Sequence, residues 1–312
     1  MTVTVNGKHL AGKISAVPSK SMAHRLLICA ALAKEPTAIG CSALSEDIEA
    51  TRHCLEAAFA HITYETGVFT VTPREKERRA AIDCGESGST LRFLLPILGA
   101  AGINGALQLH GRLPDRPLSP LREELIRHGY LVSQTGSNPL VTQGRLCAGS
   151  YILRSDVSSQ FISGLLFALP LCQGDSTITL TGKRESAAYV DMTLWALDAF
   201  GISIFPTADG YAIPGGQQYR SPGRIDTEGD WSGAAFWKVC DFLGAPVEVT
   251  GLHKDSLQGD RAICRVLSEM KLGNCKIDAA PIPDLVPVLS VAALGSPGET
   301  VICNAARLRY KE

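Results

Sequence analysis

Apolar residues recur along the chain in blocks that fit helices, and each block opens with a small polar residue. Five such blocks cover residues 21–33, 87–101, 158–171, 232–243 and 284–294. The residues that open them are Ser21, Ser87, Ser158, Ser232 and Asp284. A Ser or Asp side chain at a helix start accepts a hydrogen bond from a backbone N–H that otherwise lacks a partner. The pattern therefore predicts five helices with capped N-termini.

A second pattern follows each of the first three blocks and joins a helix-like stretch to two short stretches of alternating apolar and polar residues. The helix-like stretches cover residues 55–60, 121–128 and 194–200. The alternating stretches cover residues 62–71, 130–134 with 139–142, and 202–205 with 210–213. In two cases a glycine, Gly129 or Gly201, lies between helix and strand, as is typical of a C-cap. We therefore predict a helix and a β-hairpin after each of these blocks.

The two patterns together repeat about every 70 residues, a length that suits a small α/β unit. Three complete units fit between about Pro18 and Gly229. A fourth begins near Asp230 and continues through residues 266–270 and 276–278. A fifth begins near Asp284 and has neither a second helix nor a hairpin. From this count we expect the sequence to be part of a longer protein, with roughly a hundred residues absent.

Composition narrows the class of protein. The length of 312 residues and the apolar fraction of 45% suit about two domains with substantial cores. The 30 Lys and Arg residues are balanced by 31 Asp and Glu residues, which gives a net charge of −1. A chain without a global positive field does not attract phosphates over its whole surface. We therefore expect neither a nucleic-acid nor a membrane partner, while a small basic pocket stays possible.

Cysteine usage and apolar run length indicate the compartment. Ten cysteines are present, and no two of them have CxxC spacing. Several lie in apolar runs, which favours reduced, buried thiols over disulfides or zinc ligands. The sequence shows no signal or transit peptide, and no apolar run reaches the ~18–20 residues that span a bilayer. We expect a cytoplasmic protein that binds no metal.

Basic and hydroxyl side chains gather at the predicted helix starts. Lys20 and Ser21 stand at the first start, and Arg25 lies one turn further on. The segment 85–92 opens the second helix and ends in Arg92, and the segment 158–160 opens the third. A helix N-terminus binds anions through its free N–H groups and the positive end of its dipole. If the repeated helices lie parallel, these starts form a site for phosphate and carboxylate groups.

Each of these features also has a plainer interpretation. Lys20 and Arg25 also fit a solvated helix face, and residues 85–88 fit an ordinary turn. Ser158 and Ser159 also fit a simple helix cap. Arg112 and Arg116 lie in a proline-containing loop. They are either rigidly held ligands for an anion or partners of Asp115 in a structural ion pair. Asp284 is either an N-cap or a general base, and Lys311 and Glu312 also fit solvated charges.

The order of the motifs is more specific than any one of them. The series is Lys20-Ser21-x-x-x-Arg25, Gly85-x-x-Gly88-x-x-x-Arg92, Gly111-Arg112-x-x-x-Arg116-Pro, Ser158-Ser159-Gln160-Phe161, Ser186-x-x-Tyr189-x-Asp191-x-Thr193, Pro283-Asp284 and Arg309-x-Lys311-Glu312. It closely resembles the 5-enolpyruvylshikimate-3-phosphate synthase family. The resemblance runs from Lys20 to Glu312, which is nearly the whole chain.

The resemblance implies an α/β fold of two similar domains, each built from three repeated βαβαββ units in an inside-out α/β barrel. In this sequence residues 18–228 form the complete domain. Residues 1–17 and 229–312 form a second domain, which we expect to be incomplete.

The resemblance also implies a reaction. Members of the family transfer the enolpyruvyl group of phosphoenolpyruvate to the 5-hydroxyl of shikimate 3-phosphate by addition and elimination. No metal or organic cofactor takes part, we expect a monomer, and glyphosate occupies the phosphoenolpyruvate site. Gly88 leaves room where a methyl group would crowd this inhibitor, so the resemblance implies sensitivity. Both substrates are anions, which explains the clustered Arg and Lys residues.

Site residues follow from the resemblance position by position. Lys20 resembles the family residue that contacts both substrates. The expected shikimate 3-phosphate contacts are Ser21, Arg25, Ser158, Ser159, Gln160, Ser186, Asp284 and Lys311, with Tyr189 close by. The expected phosphoenolpyruvate contacts are Lys20, Gly88, Arg92, Arg116 and Gln160. The expected catalytic residues are Asp284 as base, Glu312 as proton donor to the methylene carbon, and Lys20 and Lys311 beside the reacting groups.

Three departures from the family limit these expectations. Glu86 and Arg307 stand where many relatives have Asn. An Arg shortly after the Lys-Glu pair, a later Arg and a late Lys are absent, so we expect the 312-residue chain to be nearly inactive alone.

Two other functions stay open at this point. One is a non-catalytic fragment that binds shikimate 3-phosphate, and the other is a UDP-N-acetylglucosamine enolpyruvyl transferase.

Overall fold

The structure, a computed structural model, describes residue 4 and residues 9–182, 187–306 and 308. Among these residues, the contacts divide the chain into two compact units, one of residues 18–227 and one of residues up to 17 together with residues 228–308. We call the first the three-repeat unit and the second the split unit. The split unit contributes the first strand of the chain, β1 (Gly12–Ser15).

The three-repeat unit contains the same series of helices and strands three times. The first repeat comprises α1 (Lys20–Leu32), β2 (Thr37–Gly40), α2 (Glu46–Ala58), β3 (Ala60–Glu65) and β4 (Val68–Pro73). The second comprises β5 (Arg79–Asp83), α3 (Gly88–Ala101), β6 (Asn104–Gln108), α4 (Leu121–Arg127), β7 (Tyr130–Val132) and β8 (Leu140–Gly144). The third comprises β9 (Ser150–Arg154), α5 (Ser159–Ala168), β10 (Ser176–Thr181), α6 (Ala187–Ala199), β11 (Phe205–Pro206) and β12 (Gly210–Ile213), and β13 (Arg224–Asp226) follows.

Each repeat forms a four-stranded sheet with the same pairing. The orders are β5-β6-β8-β7, β9-β10-β12-β11 and β13-β2-β4-β3. In each sheet the first two strands are parallel, and the second strand pairs antiparallel with a hairpin. The sheet of the first repeat takes its parallel strand, β13, from the far end of the unit. Arg224 there lies opposite Ala38, and Asp226 lies opposite Gly40.

The first helix of each repeat lies in the core of the three-repeat unit. Helices α1, α3 and α5 are buried over most of their length, as expected for segments that are apolar on nearly every face. Gly164 on α5 allows a close approach to α3, because a Cβ at this position would overlap the carbonyl oxygen of Arg92. This packing holds the N-termini of α3 and α5 near each other.

The split unit has smaller sheets. Its further elements are α7 (Trp231–Phe242), β14 (Val247–Thr250), α8 (Ile263–Met270), β15 (Cys275–Asp278), α9 (Val286–Ala292) and β16 (Thr300–Cys303). Strand β1 pairs parallel with β14, and β15 pairs parallel with β16. Only residues 271–274 connect α8 to β15, whereas the equivalent connections in the three-repeat unit, residues 59–78, 128–149 and 200–223, each carry a hairpin.

Two of the predicted helix caps are confirmed. The Ser87 hydroxyl accepts a hydrogen bond from the backbone N–H of Thr90 over 3.3 Å, and the Ser158 hydroxyl accepts one from Gln160 over 3.3 Å. The hydroxyl that caps α1 belongs to Ser19, which accepts from Met22 over 3.4 Å.

Three other predicted caps are wrong. Ser21 lies inside α1, because the helix begins one residue earlier at Lys20. Ser232 lies inside α7, where the Asp230 carboxylate is the cap. Asp284 lies within the 3-10 turn Pro283–Leu285 that leads into α9, and neither the turn nor the helix has a side-chain cap. Among the described residues, no helix combines the length and apolar character needed to cross a bilayer.

Candidate anion site at the helix starts of the three-repeat unit

Lys20 is the first residue of α1 and projects its ammonium group towards α2. Its Nζ lies 2.7 Å from an Asp47 carboxylate oxygen, and about half of the Lys20 side chain is exposed. Asp47 stands in the first turn of α2, whose N-cap is Ser45. Because one end of this ion pair faces solvent, its contribution to folding stability is small, on the order of 1 kcal/mol or less. Its effect is to orient the Lys20 ammonium.

Arg25 is almost completely buried one turn into α1. Its Nε donates to the Thr193 hydroxyl over 2.9 Å, its Nη1 to the carbonyl oxygen of Ser21 and its Nη2 to the carbonyl oxygen of Tyr189 over 2.7 Å. The guanidinium also lies over the ring of Phe93, 5.2 Å from its centroid. Burial lowers the pKa of Arg25 to about 10, which leaves it charged at neutral pH.

Arg92 and Arg116 converge on Gly88, the first residue of α3. A Cβ built on Gly88 would lie 2.8 Å from Nη1 of Arg92 and 3.1 Å from Nη1 of Arg116. The two arginines come from different elements, since Arg92 is one turn into α3 and Arg116 follows the 3-10 turn Leu113–Asp115. Two guanidinium groups beside the N-terminus of one helix are the kind of donors that bind a small anion, and we call Gly88, Arg92 and Arg116 the pocket.

Gln160 links this pocket to α5. Its Oε1 accepts a hydrogen bond from Nη1 of Arg92 over 2.7 Å, and its Nε2 donates to the Ser89 hydroxyl over 2.8 Å. Ser158 and Ser159 stand beside it at the start of α5, the first as N-cap and the second buried. The structure thus brings together Gly88, Arg92, Arg116 and Gln160.

Glu86, which stands where many relatives have Asn, packs against the loop that carries Arg112. Its carboxylate lies against the backbone of Gly111, where a Cβ would overlap it. Gly111 has a φ of +53°, a left-handed conformation that favours glycine. The acidic side chain therefore packs on the loop that precedes Arg112.

The remaining predicted site residues lie on other elements or outside the described residues. Asp284 is exposed in the split unit, at the 3-10 turn before α9. Ser186, Lys311 and Glu312, and also Arg307, lie outside the described residues. Tyr189 is half-buried on α6.

Three residues without a predicted role contact the predicted site. Asp47 pairs with Lys20, Ser89 supports Gln160, and Thr193 receives a hydrogen bond from Arg25. The sequence does show that Asp47 lies in an acidic first turn after a Ser cap. Acidic residues are common there because they stabilise the helix dipole, so this pattern does not by itself indicate a contact with Lys20. The described residues include no group of three His, Cys, Asp or Glu side chains arranged to hold a metal ion.

Comparisons with known proteins agree on one family. Residues 5–281 match the model of the family described as EPSP synthase (3-phosphoshikimate 1-carboxyvinyltransferase). A 3-phosphoshikimate 1-carboxyvinyltransferase from Clostridium kluyveri is 39% identical over 334 residues, which covers 99% of this chain and 77% of the relative. The protein of the same name from Clostridium botulinum (strain Eklund 17B) is 40% identical, with coverage of 97% and 76%.

Solved structures give the same fold. An EPSP synthase from Acinetobacter baumannii superposes with a TM-score of 0.79 at 22% identity, covering 98% of this chain and 76% of that one. This similarity confirms the predicted α/β, two-domain enolpyruvyl transferase fold.

Proposed function

Because the chain belongs to the EPSP synthase family, we propose that the helix starts of its three-repeat unit hold the two anionic substrates of enolpyruvyl transfer. The reaction moves the enolpyruvyl group of phosphoenolpyruvate to the 5-hydroxyl of shikimate 3-phosphate and releases phosphate, within the shikimate pathway of aromatic amino acid biosynthesis. The convergence of Arg92 and Arg116 on Gly88 is the observation that carries the proposal.

Phosphoenolpyruvate binds in the pocket formed by Gly88, Arg92 and Arg116, with Gln160 and Lys20 at its sides. The Gly88 Cα presents only hydrogen to the pocket, so an anionic oxygen can approach both guanidinium groups. The hydrogen bond that Arg92 donates to Gln160 fixes the guanidinium before the substrate arrives. A cationic pocket that is already in place stabilises charge on the transferred group without reorganising during the reaction.

Shikimate 3-phosphate binds along the starts of α1 and α5, at Lys20, Ser21 and the segment 158–160, with Ser186 as a further ligand. Arg25 has five N–H groups, three of which donate to the protein. The substrate takes the other two. Arg25 therefore both binds substrate and holds α1 to α6.

Asp284 removes the proton of the 5-hydroxyl. The hydroxyl oxygen then adds to C2 of phosphoenolpyruvate while Glu312 protonates the methylene carbon. The resulting tetrahedral ketal then loses phosphate from C2 and a proton from the new methyl group. Lys20 and Lys311 balance the charge on the reacting oxygens. The exposure of Asp284 suits a base that meets its substrate at a surface.

We further propose that the two compact units correspond to the domains predicted over residues 18–228 and over residues 1–17 with 229–312. The predicted monomeric state and cytoplasmic location stay proposals from sequence, as does the absence of a cofactor.

The substitution Arg92→Lys tests the site. It keeps the charge but removes the fork that reaches both Gln160 and the substrate. A charge-assisted hydrogen bond contributes about 1.5–3 kcal/mol, so we expect binding of phosphoenolpyruvate to fall about 10- to 100-fold. Calorimetric titration with glyphosate, in the presence of shikimate 3-phosphate, measures binding at this site without requiring turnover. The matched control is Arg74→Lys, which alters an exposed arginine paired with Glu77 in the same unit. Equal effects of the two substitutions would contradict the assignment.

A chain that only binds shikimate 3-phosphate is the second candidate. Calorimetric titration with this substrate, with and without phosphoenolpyruvate, separates the two. Binding without any phosphate release favours the non-catalytic form. The names of the relatives do not favour a UDP-N-acetylglucosamine enolpyruvyl transferase.

A further inference from the structure

Two neighbouring residues of α1 carry buried polar side chains that bond to different helices. His24 is 1% exposed and Arg25 is 2% exposed. His24 bonds to α2 and Arg25 to α6. Because α1 begins with Lys20, both contacts act on the helix that carries the expected shared ligand.

The His24 network consists of His24, Thr51, Thr90 and Ser87, all of them buried. Nδ1 of His24 lies 2.7 Å from the Thr51 hydroxyl, which lies 2.7 Å from the Thr90 hydroxyl. Thr90 in turn donates to the Ser87 hydroxyl over 2.7 Å. The network therefore connects α1 through α2 to the N-cap of α3, directly beside Gly88.

The positions of the protons in this network follow from counting. Each hydroxyl has one proton to donate. Thr90 gives its proton to Ser87, so Thr51 must donate to Thr90. Thr51 then has no proton left for His24, and the Nδ1–H of His24 must donate to Thr51.

This order makes His24 a neutral imidazole with its proton on Nδ1. Its Nε2 is buried and has no hydrogen-bond partner among the described residues, which an unprotonated nitrogen tolerates better than an N–H. Burial lowers the pKa of His24 to about 3, in agreement with a neutral ring.

The Arg25 network consists of Arg25, Thr193 and Ser163. The Thr193 hydroxyl accepts a hydrogen bond from Nε of Arg25 over 2.9 Å and donates one to the Ser163 hydroxyl over 2.8 Å. Thr193 and Ser163 are both fully buried. This network connects α1 through α6 to α5, which begins with Ser159 and Gln160.

We propose that His24, Thr51 and Thr90 are positioning residues for the phosphoenolpyruvate pocket, and that Thr193 and Ser163 position the shikimate 3-phosphate ligands. The inference rests on the proposed function, because it uses the substrate assignments of α3 and α5. It goes further in that two adjacent residues of one helix control the placement of different substrates.

The substitutions Thr51→Val and Thr193→Val form a matched pair. Both remove one hydroxyl from a fully buried threonine and keep the shape of the side chain. Since misplacing a reacting group by about 1 Å costs about a hundredfold, we expect a smaller shift to cost about tenfold. Thr51→Val should weaken binding at the phosphoenolpyruvate pocket about tenfold and change binding of shikimate 3-phosphate less than about twofold. Thr193→Val should weaken binding of shikimate 3-phosphate about tenfold.

Calorimetry provides both measurements. Shikimate 3-phosphate is titrated alone, and glyphosate is titrated in its presence as a non-reacting probe of the second pocket. Thr51→Ser, which restores a hydroxyl, should recover the affinity for glyphosate. Thr142→Val is the control for loss of a buried hydroxyl, because Thr142 bonds to Tyr130 and Gly105 and belongs to neither network. It should change neither affinity.

Nuclear magnetic resonance of 15N-labelled histidine gives a readout that is independent of ligands. The ring of His24 should carry its proton on Nδ1 and should not titrate between about pH 5.5 and pH 8. A proton on Nε2, or equal losses of both affinities in Thr51→Val, would overturn the inference. If Arg92→Lys leaves glyphosate binding unchanged, the site assignment fails instead. If Arg92→Lys weakens it and Thr51→Val does not, the positioning inference alone fails.

Discussion

The three-repeat unit and the split unit use related elements but cover their apolar surfaces to different extents. Every repeat of the three-repeat unit ends in a hairpin, and each of its sheets has four strands. The described sheets of the split unit have two strands each. Leu272 and Leu294 are 89% and 86% exposed there, whereas no large apolar side chain described in the three-repeat unit exceeds the 57% of Phe205.

The difference shows what a binding site at helix starts requires. A helix N-terminus holds an anion in a fixed place only if the helix itself is fixed by its neighbours. In the three-repeat unit, α1, α3 and α5 are buried on nearly every face and tied together by the two polar networks. The expected ligands whose positions are described lie almost entirely on this unit, and Asp284 is the exception.

The largest expected effect compares the two apolar surfaces directly. Leu95 is fully buried on α3, and Leu95→Ala should lower the free energy of unfolding by about 2–5 kcal/mol, because it removes apolar contacts and leaves a cavity. Leu272→Ala is the matched substitution in the split unit and should change it by about 0.5 kcal/mol or less. Urea denaturation followed by circular dichroism measures both. Similar losses of unfolding free energy in the two variants would show that the difference in burial does not affect stability.

The next effect concerns acid. The pKa of His24 is lowered to about 3, mainly by burial, with the positive charges of Lys20 and Arg25 adding to this and Asp47 opposing it. Between pH 6.5 and this value the unfolded chain binds a proton that the folded chain does not. The stability of the three-repeat unit should therefore fall as pH falls below 6.5, by about 1.4 kcal/mol for each pH unit.

Unfolding at a series of pH values, with His24→Gln beside the parent chain, measures this effect. The substitution should flatten the dependence between about pH 6.5 and pH 4.5. His53→Gln, which alters an exposed histidine of the same unit, is the matched control variant. An unchanged slope in His24→Gln contradicts the prediction.

The smallest effect on folding belongs to Gly88→Ala. The new methyl group would meet the flexible ends of Arg92 and Arg116, so the free energy of unfolding should change by less than about 1 kcal/mol. The displaced guanidinium groups bind an anion less well, and we expect glyphosate to bind about tenfold more weakly. Inhibition constants or calorimetry compare the two proteins. Equal values refute the steric argument, while shikimate 3-phosphate affinity serves as the internal control.

Helix caps were predictable from the sequence where a single side chain and the next helical turn determine them. The caps at Ser87 and Ser158 follow from one side chain and the next helical turn. The cap of α1 was misplaced by two residues, since Ser19 and Ser21 are both small and polar and only the backbone direction after Pro18 distinguishes them.

Contacts between distant segments were not predictable in the same way. The pairing of β13 with β2 joins residues that are far apart in the sequence, and no local pattern selects the partner. The His24 network needs three helices in fixed positions before its hydroxyl groups meet. Its residues are ordinary in a sequence, because a buried Thr or His in a helix is most often a packing residue.

The pairing of β1 with β14 has a consequence for synthesis of the protein. Ser15 and Thr250, which face each other across this pair, are separated by 235 residues. At about 5–20 residues per second on the ribosome, β1 waits roughly ten to fifty seconds for its partner strand. The three-repeat unit is complete before β14 emerges, so it folds first and β1 remains an unpaired strand during that interval.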